Sequence, residues 1–153
     1  MRRWLAGLGV LAALSCSHAR ADEDPDLYAP ALQTCIEAAA ADADRLAACK
    51  GASAEPCISA DGGTTHGMVM CFSNEAEVWA RAMEESQRRL TVASPETAAA
   101  LADSQRAWAS YRDAQCGYRV ALWGEGSGAR VELAACIAAM TADRAILLSA
   151  ASP

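Results

Sequence analysis

The sequence contains few of the residues that build β-sheets. Phenylalanine occurs once and histidine twice, and valine and isoleucine are sparse, whereas alanine, leucine, glutamate and arginine are common. This composition is typical of helices, because β-branched and aromatic residues favour strands. We find no repeat, low-complexity linker or charge block that would mark a second domain. The mature chain is therefore predicted to be one all-α unit.

No pattern in the chain indicates catalysis, a metal or a cofactor. No nucleophile is accompanied by a base, and His66 is the one histidine beyond the first 21 residues. The cysteines lack the close spacing of zinc ligands. The glycines of residues 124–128 follow no strand and precede no Lys-Ser/Thr pair, so they predict a turn and not a phosphate-binding loop. We expect neither an enzyme nor a metal or cofactor site.

The N-terminus has the features of a secretory signal peptide. Arg2 and Arg3 precede an apolar run from Trp4 to Leu14, and a small-residue cleavage site ends at Ala21. The apolar run is too short to span a bilayer. Cleavage after Ala21 is favoured over lipidation of Cys16, because a leucine stands where a lipobox normally has a small residue. The mature protein would then be periplasmic or secreted, and in the alternative case lipid-anchored.

The mature chain is acidic. Cleavage after Ala21 removes three arginines and no acidic residue, which leaves 10 basic against 19 acidic residues and a net charge of about −9. This charge argues against binding to nucleic acid or to an anionic membrane. It would steer the protein toward a basic partner, although solubility alone explains the acidity equally well.

Six cysteines follow residue 21, so they remain whether the chain is cleaved after Ala21 or lipidated at Cys16. In an exported chain they indicate three disulfides. They are Cys35, Cys49, Cys57, Cys71, Cys116 and Cys136. Pairing in sequence order is favoured, because each consecutive pair flanks a predicted turn. A bond between Cys71 and Cys116 is the rival, since these two cysteines lie at the same level of the predicted bundle.

Three long helices are predicted. Apolar residues recur at three- and four-residue steps from about Thr65 to Leu90, and Ser94-Pro95-Glu96 predicts the start of a helix that runs to about Leu122. A third helix follows the glycines of 124–128. Its predicted inward residues are Leu133, Ile137, Met140, Arg144 and Leu147. With a helical hairpin over residues 26–57, the prediction is a small, disulfide-stapled antiparallel helical bundle.

A guanidinium and an amide lie on one face of the second long helix, where a bundle keeps its core. Gln105, Trp108 and Arg112 stack there at helical spacing. A buried guanidinium needs a partner. If the first two long helices pair about a turn between residues 93 and 94, Glu75 faces Arg112, and loss of Arg112 would strand a buried carboxylate. The predicted structural network consists of Glu75, Gln105, Arg112 and Arg144.

The same pairing places Trp79 opposite Trp108 in the middle of the bundle. The predicted core aromatics are Trp79, Trp108 and Tyr111. The turn between the second and third long helices, centred near residue 126, places Cys136 level with Cys116. It also places Arg144 level with Trp108, where its guanidinium could lie against the indole.

The run from Gln105 to Cys116, followed by Cys136 and by Thr141-Ala142-Asp143-Arg144, resembles the LprI-type lysozyme-inhibitor domain, a family of small exported helical proteins. Further matches are Cys57, the segment from Thr65 to Cys71, Glu75 and Trp79. The resemblance covers about residues 57–148. The expected organisation is a signal peptide at 1–21, an N-terminal helical extension at 22–56 and an LprI-like helical domain at 57–150.

The resemblance implies that the protein binds and blocks a lysozyme by protein contact in the bacterial envelope. A basic lysozyme suits an acidic partner. The alternatives are a disulfide-stabilised envelope module with another target and, more weakly, a hydrolase that uses Glu75. An inhibitor presents exposed groups to its target, so the two glycine-rich loops are the candidate partner-binding segments. Their candidate residues are Asp61, His66, Trp123 and Glu125.

Overall fold

The computed structural model describes residues 25–151, which form helices and turns with no strand among them. A 3₁₀ turn, Pro25–Tyr28, precedes three short helices: α1 at Ala29–Ala39, α2 at Ala43–Ala47 and α3 at Ala54–Ala60. Three long helices follow: α4 at Thr65–Ala93, α5 at Ala98–Ala121 and α6 at Gly128–Ala150. The predicted fold class is confirmed, although the N-terminal segment forms three short helices and not two. The predicted signal peptide and Cys16 lie outside the described residues.

The start of α4 is fixed by two side chains. The Thr64 hydroxyl accepts a hydrogen bond from the Gly67 amide at 3.0 Å, as an N-cap does. The Asp61 carboxylate accepts bonds from the Thr64 amide, at 3.2 Å, and from its hydroxyl. It lies so close to Gly67 that a Cβ there would come within 1.7 Å of it. The predicted N-cap at Ser94 makes no such bond, and a 3₁₀ turn, Pro95–Thr97, leads into α5.

Helix α6 is the central helix of the bundle. It packs along α4 more extensively than along any other helix, and it also contacts α5 and α2. Its buried residues are mostly small: Ala134, Cys136, Ala138, Thr141, Ala142, Ala145, Leu148 and Ser149. The predicted inward positions Leu133 and Leu147 are 40% and 58% exposed. That prediction was wrong, because α6 turns its small-residue face toward α4.

By length and composition alone, α6 could also cross a membrane, with a mean hydropathy of 1.5. Its position in the bundle offers a simpler explanation of this composition. A helix that contacts neighbours on several sides is apolar over much of its circumference. The contacts of α6 with α2, α4 and α5 place it in that position.

The hydrophobic core surrounds Trp79, whose exposed fraction is 0%. Leu32 of α1, Leu46 of α2 and Ala142 and Ala145 of α6 belong to the same buried cluster. The short N-terminal helices therefore share one core with α4 and α6. Of the three aromatics predicted to be buried, only Trp79 is in the core, since Trp108 is half-buried and Tyr111 is 60% exposed.

Each disulfide joins consecutive cysteines of the chain. The bonds are Cys35–Cys49, Cys57–Cys71 and Cys116–Cys136. This is the sequential pairing, and the rival bond between Cys71 and Cys116 is not formed. The Cys116–Cys136 bond also confirms the predicted register of α5 on α6, and the ion pair of Arg119 with Glu132 continues that register.

The register predicted between α4 and α5 was wrong. Helix α5 packs mainly against α6 and makes only slight contact with α4. Where the two helices do meet, the Gln105 side chain donates to Gln87 at 3.3 Å. Trp79 therefore does not face Trp108. The prediction failed because it assumed that two helices joined by a short turn also lie side by side along their length.

The burial of Trp79 predicts how the tryptophans differ in their contribution to stability. We expect Trp79→Ala to lower the free energy of unfolding by about 3–5 kcal/mol, because it leaves a large cavity in the core. Trp123→Ala is the matched control. The Trp123 side chain is 54% exposed, and its loss should cost less than about 1 kcal/mol. Urea denaturation of the oxidised proteins measures both, and equal losses would contradict this description of the core.

Candidate interaction surfaces

Glu75 is a residue of α4, and its side chain is buried against the beginning of α3, with 5% of its surface exposed. One carboxylate oxygen accepts a hydrogen bond from the Gly51 amide at 2.8 Å. The other accepts from the Ala54 amide at 2.8 Å and from the Ser53 hydroxyl at 3.1 Å. The first amides of a helix lack partners within the helix and carry partial positive charge. Glu75 supplies the acceptor for the first of these amides, that of Ala54, together with the compensating charge, and it also binds the amide of Gly51 in the turn before the helix.

Gly51 has a backbone conformation that only glycine adopts easily, with φ at +86°. This conformation directs its amide to the Glu75 carboxylate, at 2.8 Å. Ser53, the residue before α3, makes no capping bond to its own helix. Its hydroxyl donates to Glu75, so the acceptor that α3 needs comes from α4.

Arg112 is not the partner of Glu75. Its guanidinium bonds the neighbouring Asp113 through Nε at 2.9 Å and Nη2 at 2.8 Å. It also lies 5.1 Å from the centre of the Trp108 ring, so Arg112 and not Arg144 makes the cation–π contact. The predicted Glu75–Arg112 pair was wrong, because α5 packs on α6. Loss of Arg112 would leave the hydrogen bonds of Glu75 intact.

The other two members of the predicted network are brought together. The Arg144 guanidinium donates from Nε to the Gln105 side chain at 2.6 Å and from Nη2 to Ser104 at 2.7 Å. Gln105 also reaches Gln87, so these polar bonds link α4, α5 and α6. Desolvation by partial burial lowers the pKa of the Arg144 guanidinium below its ordinary value.

Two of the grooves on the surface of residues 25–151 adjoin the long helices. One, of about 450 Å³, lies between α5 and α6. It is lined by Trp108, Tyr111, Gln115, Arg119, Met140, Asp143, Arg144 and Leu147. The other, of about 490 Å³, lies mainly between α1 and α4. Beside it the buried Ser86 hydroxyl bonds Ser149 at 2.8 Å and accepts from Arg89 at 3.0 Å.

The two candidate loops lie at the same end of the bundle. Helices α4 and α6 are parallel, and Ser86 of α4 bonds Ser149 of α6, which is 63 residues further along the chain. The first residues of the two helices, Thr65 and Gly128, are also 63 residues apart, so both helices begin at the same level. The turn after α5 ends at that level too. The side chains of Asp61, His66, Trp123 and Glu125 are all exposed. The Trp123 ring packs closely against the backbone of Gly128, where an added Cβ would meet it at 2.6 Å.

The negative charge is concentrated in the N-terminal part of the chain. Residues 22–56 contain eight acidic and two basic residues, a net charge of −6. Residues 57–153 contain eleven acidic and eight basic residues, a net charge of −3. Residues 22–56 therefore carry about two thirds of the net negative charge expected after removal of residues 1–21. They make up less than a third of the remaining chain.

Among residues 25–151, no group of three or more histidine, cysteine, aspartate or glutamate side chains is placed to hold a metal ion. All six cysteines after residue 21 are in disulfides. Glu75, the candidate acid of a hydrolase, is engaged in three hydrogen bonds within the fold.

These features define a small, disulfide-stapled helical protein of an oxidising compartment. A family model described as lysozyme inhibitor LprI matches residues 57–148, and the chain belongs to this family. No curated protein and no solved structure matches the chain. The disulfides and the family together indicate an extracytoplasmic protein. The match begins at Cys57, and the division of the chain into an extension and a domain at that point stays a prediction.

The hydrogen bonds of Glu75 predict a large cost for its removal. Glu75→Ala leaves two backbone amides and a hydroxyl without their acceptor, and we expect it to lower the free energy of unfolding by about 2–4 kcal/mol. Glu75→Gln keeps one acceptor oxygen and should cost less. The control is Glu77→Ala, an exposed glutamate two residues away, with an expected change within about 0.5 kcal/mol. Guanidinium denaturation compares them, and a neutral Glu75→Ala would refute the capping role.

Proposed function

We propose that this protein binds and blocks a lysozyme by protein contact in the bacterial envelope. The observation that carries the proposal is its membership of the LprI family of lysozyme inhibitors. The protein would act in the periplasm or after secretion, once the segment at residues 1–21 is removed. Lipidation of Cys16 would keep the same protein at the membrane surface. Its partner is proposed to be a protein, with no cofactor taking part.

The distribution of charge supports a basic partner. A net charge of −6 on residues 22–56 creates a field that attracts a basic protein and accelerates their encounter. On α1 and α2, the exposed Glu37 and Asp44 contribute to this field. Steering of this kind acts on the association rate more than on the lifetime of the complex.

The end of the bundle that carries both candidate loops is proposed to contact the enzyme. Trp123 combines a large apolar ring with high exposure, which suits an anchor in the cleft of a partner. His66 and Glu125 provide exposed polar groups beside it. Asp61 is a poor test of binding, because its carboxylate helps to cap α4 and its loss would also change stability.

A titration of the oxidised mature protein against a panel of lysozymes tests the proposal. We expect inhibition of a basic lysozyme and an association rate that falls as salt rises, because ions screen the steering field. The double variant Glu37→Gln/Asp44→Asn should lower that rate by roughly two- to fivefold. The matched control, Glu84→Gln/Glu96→Gln, removes two charges outside residues 22–56. If no lysozyme is bound or inhibited, the proposed function is wrong.

The loop end makes a separate prediction. Trp123→Ala should weaken inhibition at least about tenfold, as loss of an interface anchor does, and Glu125→Gln should have a smaller effect. Val92→Ala is the control, since Val92 is 80% exposed near the other end of α4. Inhibition assays together with calorimetry measure the effect. Full inhibition by a stable Trp123→Ala protein would exclude this end as the contact surface.

A further inference from the structure

The outer face of α5 carries large apolar side chains that nothing in the described chain covers. Tyr111, Tyr118 and Leu122 are 60%, 61% and 69% exposed. Their spacing of seven and then four residues places them on one face of the helix. Leu147 of α6, 58% exposed, lines the same groove as Tyr111. We refer to Tyr111, Tyr118, Leu122 and Leu147 as the α5–α6 face.

This concentration of apolar surface is specific to one side of the molecule. Within residues 27–151, six of the nine exposed large apolar side chains belong to α5, α6 or the turn between them. Monomeric proteins rarely expose large apolar patches, so such a patch marks an interaction surface. Helix α5 has α6 as its main neighbour, whereas α4 is flanked by α1, α3 and α6.

The charge of the helices that carry this face is balanced. Residues 98–151 contain five acidic and five basic residues, and their net charge is zero. Asp103 pairs with Arg106, Asp113 with Arg112 and Glu132 with Arg119. These helices therefore exert little net electrostatic attraction or repulsion on a partner. A second copy of this chain meets little repulsion, because Asp143, which lines the same groove as Tyr111 and Leu147, is also paired, in this case with Lys50.

The size of the α5–α6 surface suits a dimer. With 24 residues in α5 and 23 in α6, each helix is about 35 Å long, and the pair is about 20 Å wide. One side of the pair then measures roughly 700 Å², so two copies that covered it fully would bury at most about 1,400 Å², within the range of specific interfaces. Aromatic side chains such as Tyr111 and Tyr118 are enriched at interfaces of this kind.

We propose that two copies of this protein associate through the α5–α6 face about a two-fold axis. The same four residues of each copy meet in such an isologous contact. The exposed Glu37 and Asp44 are not among the residues that line the groove between α5 and α6. The dimer would thus present two acidic surfaces to its surroundings, and this proposal does not depend on the identity of the target.

Sedimentation equilibrium of the oxidised mature protein tests the proposal. We expect a monomer–dimer equilibrium with a dissociation constant of roughly 1–100 µM. Because the contact is apolar and nearly neutral, rising salt should not weaken it. Tyr118→Glu/Leu147→Glu changes one exposed residue on each helix and should raise the dissociation constant at least about tenfold. Circular dichroism checks that the variant is folded.

The matched control is Leu27→Glu/Val92→Glu, which adds the same charge at two exposed apolar residues outside the face. Its dissociation constant should equal that of the unmodified protein. A protein that stays monomeric at several hundred micromolar would overturn the proposal, and so would equal weakening by both double variants. A third outcome is possible: the unmodified protein is monomeric at every concentration, and Tyr118→Glu/Leu147→Glu abolishes its inhibition of lysozyme. In that case the α5–α6 face contacts the enzyme, and the proposed dimer is wrong.

Discussion

One buried carboxylate holds α3 against α4 without a cationic partner. Cys71, Glu75 and Trp79 follow one another at four-residue steps, so they share a face of α4. Cys71 bonds α3 covalently through Cys57, Glu75 caps the first turn of α3, and Trp79 enters the core with α1, α2 and α6. A single stripe of one helix thus fixes the position of the N-terminal helices. An apolar residue in place of Glu75 would leave the start of α3 without acceptors in the interior of the protein.

The sequence predicts most of the helices, because their signals are local. The three-and-four-residue periodicity of α4 and the glycines after α5 are both read from a few neighbouring residues. The disulfides and the α5–α6 register were also predictable, since Cys116 and Cys136 are about equidistant from a glycine-rich turn. The LprI resemblance was recognisable from the same motifs.

The partner of Glu75 was not predictable from the pairing of the long helices. Such pairing places only side chains of the long helices opposite Glu75. The donors are two backbone amides and the Ser53 hydroxyl, and backbone groups leave no pattern in a sequence. One signal was nevertheless present. A short helix that begins after Gly51 needs acceptors for its first amides, and a buried glutamate elsewhere in the chain is a suitable source.

The matched region and the segment before it differ in electrostatic character. Residues 57–153 have a net charge of −3, and residues 22–56 have −6, yet both contribute to one hydrophobic core. The described part of this segment, from residue 25 onward, is therefore packed against the helices of the LprI match, and its acidic residues Glu37, Asp42, Asp44 and Glu55 lie at fixed positions relative to them. A flexible acidic tail would provide the same charge without fixing its direction.

The order of the disulfides has a consequence for how the protein matures. Each bond closes within a separation of 14, 14 or 20 residues, and no bond crosses another. In the order of the chain, each cysteine is therefore followed by its own partner before the next pair begins. Oxidation in that order yields the native connectivity without rearrangement of a non-native bond. Assembly of the three linked segments then depends on the packing of α6 along α4 and of the short helices around Trp79.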